Sequence, residues 1–487
     1  MRLLVATVCA AALVVGGATL ERLGPRPVSA GRSEEPVSGA WSCPHGGGEG
    51  WRVWVTLANP GPEPIEVRMT TSAGGAAPPA STSVLEPSTL RYVEVNAPIP
   101  GSATVVEFLG GTVAAGSVVM APDGGIAAEP CASSPGASWH VTEASTLRGE
   151  TAYLVVHNPF AAQAVVDVIL TTADERATRP GRLQGVVLGP LDARAFELNH
   201  FELGEKALAA EVVAPQGRVA VASVVVSPGG VRSSLAVPGP ATQWFFPGAG
   251  AETEFVVRAL PDQDAPIGAE FQTEQGPVPA LDLEVVSAGT AQSFGFVLPD
   301  AGLVVRSDGL PEMVAGRRMF LEERAPDAPQ EEPTGEAGDR KGQGGKGSGQ
   351  DQAADKPADG KREGKGGAKK KEEPPPEPPA ADLAATRGSS HASDRWLVMP
   401  AVSPAGGPSI LLLQNPGDEE VTATVTLLGT AGAQGMPASV TIPAHATARF
   451  PLPADAPVAA LVEGGPLVPG QATLAPGAFA VTLGLEI

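Results

Sequence analysis

The chain has 487 residues and a formal net charge of −21, with 33 Lys and Arg against 54 Asp and Glu. This acidity argues against nucleic acid as a partner, because phosphates require clustered basic side chains, and it disfavours electrostatic docking on anionic lipid. The length indicates several domains. The 60 Gly and 50 Pro residues, with only 4% aromatic residues, are typical of an all-β chain in which short Val-rich strands alternate with turns.

The first predicted element is an uncharged apolar run, Leu3–Leu20, preceded by Arg2. Its length lies between that of a signal-peptide core and that of a spanning helix. Val28-Ser-Ala30 resembles a cleavage site, although charged residues separate it from the run. We therefore assign residues 1–30 to a signal peptide or a hydrophobic helix that anchors the chain in the membrane. An extracytoplasmic protein, secreted or anchored by this segment alone, is the expectation.

A repeated opener organises the rest of the chain: a Trp, then an apolar strand that ends in Asn-Pro. Three copies are complete, namely Trp41 with Asn59-Pro60, Trp139 with Asn158-Pro159, and Trp396 with Asn415-Pro416. A degenerate copy runs from Trp244 to Leu260-Pro261. The chain holds five Asn, and three of them occupy this slot. Because Asn caps turns and Pro cannot continue a central strand, we interpret these pairs as structural turns.

Each copy continues with six or seven short predicted strands in roughly 100 residues, which is typical of a β-sandwich. A four-bladed propeller is the rival fold, but its blades need only about 40–50 residues each. We therefore predict an all-β fold, a tandem array of four Ig-like or jelly-roll-type β-sandwich modules. The predicted bounds are 41–138, 139–243, 244–324 (the divergent copy) and 389–487.

Between the third and fourth modules lies a segment rich in Pro, Gly, Lys and Glu, residues 325–388. Eight of the nine Lys of the chain lie between Lys341 and Lys371. With few large apolar residues, such a segment cannot offset the entropy of ordering and is predicted to be a disordered linker. It would tether the fourth module to the others. The alternative is a neutral insertion, since long surface loops cost little.

Two cysteines, Cys43 and Cys131, bracket the first module and are predicted to form a disulfide in an oxidising compartment. A metal site at Cys43 and His45 is the alternative, but it has no Cys-x-x-Cys partner. Asp262 and Asp264 could contribute to a calcium site, but two loop carboxylates without further ligands are weak evidence for one. We expect no metal and no cofactor.

The sequence shows no established catalytic motif. The six His are scattered, and the nucleophile-elbow, zinc-protease and phosphate-loop patterns are missing from the sequence. A carboxylate pair for glycoside hydrolysis stays open among the 54 acids. We nevertheless expect no enzyme and no catalytic residue. Four aromatic residues are candidates for stacking on a glycan: Trp51, Trp54, Trp244 and Phe245. For the opening tryptophans, which include Trp244, the preferred interpretation is that they fill seams between modules.

Three short motifs carry a resemblance. Trp41-Ser-Cys-Pro44, the Leu-x-Asn-Pro strand ends and Trp244-Phe-Phe-Pro-Gly248 are together similar to an actinobacterial exported family of unknown function. The resemblance implies a secreted or membrane-anchored envelope protein and supplies no catalytic residues.

The sequence thus predicts a non-catalytic, exported cell-envelope protein whose modules act as a scaffold or interaction array. Its expected partners are components of the cell wall or envelope, including other envelope proteins. The alternative is an array that binds cell-wall polysaccharide. The two differ in whether the candidate aromatic residues are buried or line an open face.

Overall fold

The computed structural model describes residues 38–74, 80–174, 177–228, 230–248, 250–297, 301–309, 311–321, 383–475 and 478–487. Within these ranges the regular elements are β-strands and two single-turn 3₁₀ helices, Gly181–Leu183 and Leu198–His200, which confirms the predicted all-β class. The described part has no helix long and apolar enough to cross a membrane. The predicted N-terminal helix (1–30) and most of the predicted linker (325–388) lie outside the described residues.

The strands form separate small sheets that follow one another in pairs along the chain. Their residue patterns explain the two-layer packing. Ile65, Val67 and Met69 are buried while the residues between them are exposed, so this strand has one core face and one solvent face. The strand Arg52–Asn59 is buried after its first residue, as a central strand covered on both faces.

The first sheet pair comprises eight strands: β1 (Ser38–Cys43), β2 (Arg52–Asn59), β3 (Ile65–Ala73), β4 (Ser81–Leu85), β5 (Thr89–Val95), β6 (Ser102–Leu109), β7 (Ala114–Met120) and β8 (Ile126–Pro130). The two sheets have the orders β1-β6-β3-β4 and β5-β2-β7-β8. Apolar side chains from both sheets, such as Leu57 and Val106, share one buried cluster.

The second sheet pair repeats this order. Its strands are β9 (Ser138–Ala144), β10 (Thr151–His157), β11 (Ala164–Thr171), β12 (Val186–Leu188), β13 (Ala193–Glu197), β14 (Leu208–Gln216), β15 (Ala220–Ser227) and β16 (Gly230–Leu235). The sheets are β9-β14-β11-β12 and β13-β10-β15-β16. Their facing residues form a second buried cluster that includes Leu154 and Val168.

The third sheet pair has the same plan: β17 (Gln243–Phe246), β18 (Glu252–Ala259), β19 (Ala265–Thr273), β20 (Gly276–Val286), β21 (Ala291–Val297), β22 (Gly302–Ser307), β23 (Met313–Phe320) and β24 (Leu383–Arg387). The sheets are β17-β22-β19-β20 and β21-β18-β23-β24. Phe255 and Ile267 contribute to the cluster between them.

Strand β24 lies in the range that the sequence analysis assigned to the linker. It runs antiparallel to β23, with Leu383 opposite Phe320 and Arg387 opposite Gly316. Residues 322–382 therefore connect two neighbouring strands of one sheet, whereas the prediction placed the linker between two modules. The sequence did not reveal β24 because its Leu-Ala-Ala-Thr-Arg stretch is short and rich in Ala, which has low β propensity.

The fourth sheet pair consists of β25 (Ser393–Val398), β26 (Ser409–Asn415), β27 (Val421–Gly429), β28 (Gly432–Ile442), β29 (Ala446–Pro451), β30 (Val458–Ala475), β31 (Ala478–Leu483) and β32 (Leu485–Glu486). Strand β30 is long enough to join both layers. Its first part pairs with β25 and β27, and its second part pairs with β26 and β31.

Four strands, one from each sheet pair, pack around a common axis. Strand β8 contacts β16, β16 contacts β24, β24 contacts β31, and β31 contacts β8. We call them the axial strands. Small buried residues, among them Ala127, Ala384 and Ala480, allow this close approach. The chain therefore closes into a ring, and Leu397 and Met399 of the fourth sheet pair lie in the same buried cluster as Leu57 of the first.

Candidate functional site

The predicted disulfide is confirmed. Cys43 and Cys131 are bonded, with their Cα atoms 4.5 Å apart, and both are buried. Beside them Ser42 and Ala132 exchange two backbone hydrogen bonds of 2.9 and 2.8 Å. The disulfide therefore ties the opening strand β1 to the residues that directly follow axial strand β8.

The metal sites considered from the sequence have other roles in the structure. The sulfur of Cys43 is in the disulfide. His45 Nδ1 donates to Gly46 O at 2.7 Å, and its Nε2 lies 2.9 Å from Thr104 Oγ1. Asp264 Oδ1 accepts a hydrogen bond of 2.8 Å from the backbone N of Ala288. Among the described residues, no group of three or more His, Cys, Asp or Glu is placed to hold a metal ion.

Asn59 shows what an Asn-Pro slot does. Its Nδ2 donates to the carbonyl oxygens of Glu63 (2.7 Å), Leu85 (3.3 Å) and Glu86 (3.1 Å), while its Oδ1 accepts from Gly61 N at 2.9 Å. The buried amide thus joins the turn after β2 to the end of β4. Four hydrogen bonds on one side chain account for the use of Asn at this position.

The other two slots have the same geometry. Asn158 Nδ2 donates to Ala162 O and Gly189 O, both at 2.7 Å. Asn415 Nδ2 donates to Glu419 O at 2.7 Å and Pro443 O at 2.9 Å. In each case a Pro follows and the strand ends: Pro60, Pro159 and Pro416.

The four opening tryptophans are buried, and each indole N–H is bonded to a backbone oxygen. Trp41 donates to Val113 O (2.7 Å), Trp139 to Val219 O (2.6 Å), Trp244 to Met313 O (3.0 Å) and Trp396 to Ser393 O (3.0 Å). The first three acceptors lie at the start of equivalent strands, β7, β15 and β23. These bonds fix the orientation of the rings.

The candidate glycan-stacking residues are largely covered. Trp54 packs in the seam between the first and fourth sheet pairs, and Phe245 packs between the third and fourth. Trp244 is also buried, whereas Trp51 is half-buried. Arg52 lies over the ring of Trp54, with Cζ 4.7 Å from its centroid. No open face in the described structure is formed by these four residues together.

The four opening tryptophans meet at one end of the axial strands, around a cavity of about 330 Å³. We call it the axial cavity. Its wall is completed by the residues that follow each axial strand, and backbone pairs such as Phe245–Ser389 hold these residues in place. These lining residues are Ala132–Ser134, Val237–Gly239, Gly388–His391 and Gly484–Glu486.

Arg387, the last residue of β24, brings a charged group to the cavity wall. Burial lowers the pKa of Arg387, and the charge of Glu129 opposes this shift. Arg387 Nε is buried and has no hydrogen-bond partner. The guanidinium thus lies in the wall with at least one donor, Nε, unpaired.

Glu129, on axial strand β8, is the acidic neighbour of Arg387. Its Oε2 accepts a hydrogen bond of 3.0 Å from Leu235 N at the end of β16, while Oε1 is buried without a partner. Burial raises the pKa of Glu129 well above its usual range, against the effects of the Leu235 hydrogen bond and of the Arg387 charge. Glu129 and Arg387 therefore influence each other through their charges.

The rim of the cavity carries a second polar pair, His391 and Glu486. His391 Nε2 lies 2.8 Å from Glu486 Oε2, and Ser393 Oγ donates to Oε1 at 2.9 Å. Partial burial raises the pKa of Glu486, but the hydrogen bonds from His391 and Ser393 hold it below its usual value. The rim therefore carries a negative charge at neutral pH, beside the stacked rings of His391 and Trp396.

Sequence reasoning found part of this site. It identified the opening tryptophans as an equivalent set but assigned them to seams, and their convergence on one cavity was missed. Arg387 lay in the predicted linker. Its only signal is position: it directly precedes the Gly388–His391 turn, as Pro130 precedes the equivalent turn after β8.

Comparison with known families covers the middle of the chain. Residues 101–300 match DUF5719, a family of unknown function. No curated protein matches the chain. The match agrees with the expected similarity to a family of unknown function, and it spans less than half of the 487 residues.

The DUF5719 match includes one part of the axial cavity and omits another. Trp139, Trp244 and the axial strands β8 and β16 lie within it. Arg387 and Trp396 lie beyond it. The charged part of the cavity therefore belongs to the portion of the chain outside the matched range.

Proposed function

We propose that the protein is a non-catalytic, exported cell-envelope protein in which each sheet pair is one of four β-sandwich modules, of Ig-like or jelly-roll type. The closed array serves as a scaffold for interactions with cell-wall components or other envelope proteins. The observation that carries this proposal is the ring of axial strands, in which β31 of the last sheet pair contacts β8 of the first. A closed ring gives the four modules one fixed arrangement.

Direct bonds across the seams support a rigid scaffold. Tyr92 donates to Val402 O at 2.8 Å between the first and fourth sheet pairs, and Gln414 Nε2 donates to Gln272 Oε1 at 2.9 Å between the fourth and third. Between the third and second, Arg258 Nη2 lies 2.7 Å from Glu211 Oε2. Buried polar groups paired in this way specify one packing arrangement.

Two features support export. The apolar run Leu3–Leu20 has the composition of an export segment. The Cys43–Cys131 disulfide belongs to oxidising compartments, since cytosolic thiols are kept reduced. A protein outside the cytoplasm meets wall and envelope components directly, which agrees with the proposed partners.

The experiment is to express the tagged full-length chain in a bacterial host, fractionate the cells and test retention on isolated cell-wall and membrane fractions. We expect an extracytoplasmic protein with an oxidised disulfide that co-sediments with wall material or with an envelope protein. The control is the heat-denatured chain. Cytoplasmic retention with both cysteines free, or a lack of co-sedimentation with every fraction, would refute the proposal.

Glycan binding is the second candidate function, and the axial cavity is the observation that favours it. Its tryptophan-containing wall and serine-rich rim combine apolar and hydrogen-bonding groups, as sugar ligands require. Stacking outside the cavity is tested by Trp51→Ala, with the exposed Leu203→Ala as control. Loss of binding to soluble wall polysaccharide in the first variant alone would favour the glycan-binding array.

A further inference from the structure

The strand register shows that Arg387 occupies a position that is apolar in the other three sheet pairs. Arg387 lies opposite Gly316 on β23. The equivalent residues opposite Gly116, Ala222 and Gly470 are Pro130, Leu235 and Leu483. A guanidinium at a position built for apolar side chains is costly unless it is paired, so its presence requires a reason.

Other buried arginines of the described chain have partners. Arg232 Nη1 lies 2.9 Å from Glu150 Oε1, and Arg258 Nη2 lies 2.7 Å from Glu211 Oε2. Arg318 Nη2 is 3.0 Å from Glu254 Oε2. Arg317 donates to two carbonyl oxygens, at 3.2 and 3.0 Å. Arg387 is different from the first three in one respect: among the described residues its guanidinium forms no ion pair. Its buried Nε has no partner, as is also true of the Nε atoms of the three ion-paired arginines.

The surroundings of Arg387 suit a small ligand that carries hydroxyl groups. Ser133, Ser134 and Ser390 line the axial cavity, and a serine hydroxyl can both donate and accept a hydrogen bond. Apolar wall is supplied by the opening tryptophans. A volume of about 330 Å³ lies at the lower end of ligand pockets in proteins.

The charged groups near the cavity determine which class of anion it would bind. Glu486 is ionised at the rim, and Glu129 lies close enough to influence Arg387. The carboxylate of Glu486 would repel a phosphate dianion more strongly than a singly charged carboxylate. A carboxylate also matches the planar fork of a guanidinium.

We propose that the axial cavity binds a small hydroxylated carboxylic acid, of the chemical class of a sugar acid, and that Arg387 holds its carboxylate. The serine side chains at the rim bind the ligand's hydroxyl groups. This inference deepens the second candidate function, because it assigns a free sugar acid to the axial cavity. It is independent of the scaffold function, since binding in the cavity does not require wall association.

The test is calorimetric titration of the full-length protein with glucuronate, glucose, acetate and glucose 1-phosphate. We expect glucuronate to bind more tightly than acetate, which lacks the hydroxyls, and glucose and the phosphate ester to bind at least tenfold more weakly. Failure of glucuronate and acetate to bind, or equal binding of glucose and glucuronate, would overturn the proposal.

Three variants locate the site. Arg387→Gln should weaken glucuronate binding at least tenfold, while Arg182→Gln, at an exposed position far from the cavity wall, should leave it unchanged. Ser134→Trp obstructs the exposed rim without altering an axial strand and should also abolish binding. Thermal unfolding checks that the Ser134→Trp protein is folded. This variant therefore tests the location of the ligand site even if the Arg387 variant does not fold. Normal glucuronate binding by folded Ser134→Trp and Arg387→Gln proteins would place the ligand elsewhere and refute the assignment.

Discussion

Ser42 Oγ lies 2.7 Å from His157 Nδ1, joining the first sheet pair to the second through a fully buried histidine. Burial, and then the nearby His45, lowers the pKa of His157 to about 3. Burial likewise lowers the pKa of His45 to about 4, and that of His140 to about 4. Three neutral histidines are therefore packed in or next to seams of the ring.

The first prediction is that these histidines make the folded protein less stable as the pH falls below about 6.5. The folded chain keeps these three imidazoles neutral, whereas the unfolded chain takes up protons from pH 6.5 downward. Because the pKa of each histidine is lower in the folded state, each contributes stability that is fully present above about pH 6.5. This contribution is lost as the pH falls towards the folded-state pKa values, about 3 to 4. Urea unfolding midpoints measured from pH 7.5 to 4 should show this slope.

The matched variants are His157→Gln and His200→Gln. His200 is an exposed histidine, so its replacement should leave the pH slope unchanged. His157→Gln should reduce the slope between pH 6.5 and 4. Burial also raises the pKa of Glu129 and of Glu143. These two carboxyl groups contribute the opposite sign, because a raised folded-state pKa makes the free energy of unfolding decline as the pH rises above about 4.5. The histidine contribution is therefore read from the difference between the two variants. An unaltered slope in His157→Gln would contradict the role assigned to this residue.

The second prediction concerns the disulfide, which closes a segment with a sequence separation of 88 residues. Replacing Cys43 and Cys131 together by Ser should lower the free energy of unfolding by about 2–4 kcal/mol, because the unfolded chain regains freedom. Guanidinium unfolding of the variant is compared with that of the parent protein, with and without reductant. Reductant should destabilise the parent alone. Equal stability of oxidised and reduced parent protein would be inconsistent with this account.

The third prediction concerns the Asn-Pro slots. Asn415→Ala leaves the carbonyl groups of Glu419, Ile442 and Pro443 without their side-chain donor, and it should cost about 2–4 kcal/mol of stability. Asn96 is exposed, so Asn96→Ala is the control and should change stability by less than about 0.5 kcal/mol. Denaturant unfolding compares the two. A similar, small effect of both substitutions would show that the slot is dispensable.

The fourth prediction tests the close contact between the second and third sheet pairs. A Cβ at Gly316 would lie 2.5 Å from Thr142 Oγ1 and 2.6 Å from Glu143 Oε2, so Gly316→Ala should cost about 1–3 kcal/mol through overpacking. Gly295 also lies in a strand but has open space around its Cβ position, so Gly295→Ala is the matched control. Thermal unfolding should separate the two variants, and a stable Gly316→Ala protein would disprove the tight contact.

The sequence predicted those features in which one residue type has a specific local role. Asn59 and its equivalents bond to several carbonyl groups, so a rare residue recurs at fixed positions; Cys43 and Cys131 have one chemical purpose in an oxidising compartment. The ring was not predictable in this way. Its contacts join residues far apart in the chain, and they are made by Ala127, Ala384 and other small side chains that leave no periodic pattern. Arg387 was missed for the same reason, since its strand is recognised only through pairing with β23.

The last prediction follows from the position of β24, which pairs with β23 on the far side of residues 322–382. A specific protease site placed at 345–350 would divide the chain into two fragments, and a tethered fourth module would then separate. We expect instead that the fragments co-elute in size-exclusion chromatography without denaturant. The reason is that β24 is hydrogen-bonded to β23, and that Leu397 is buried in the first sheet pair's core. Separation should require guanidinium. Elution of the C-terminal fragment alone under native conditions would show that the ring is open and would restore the tether interpretation.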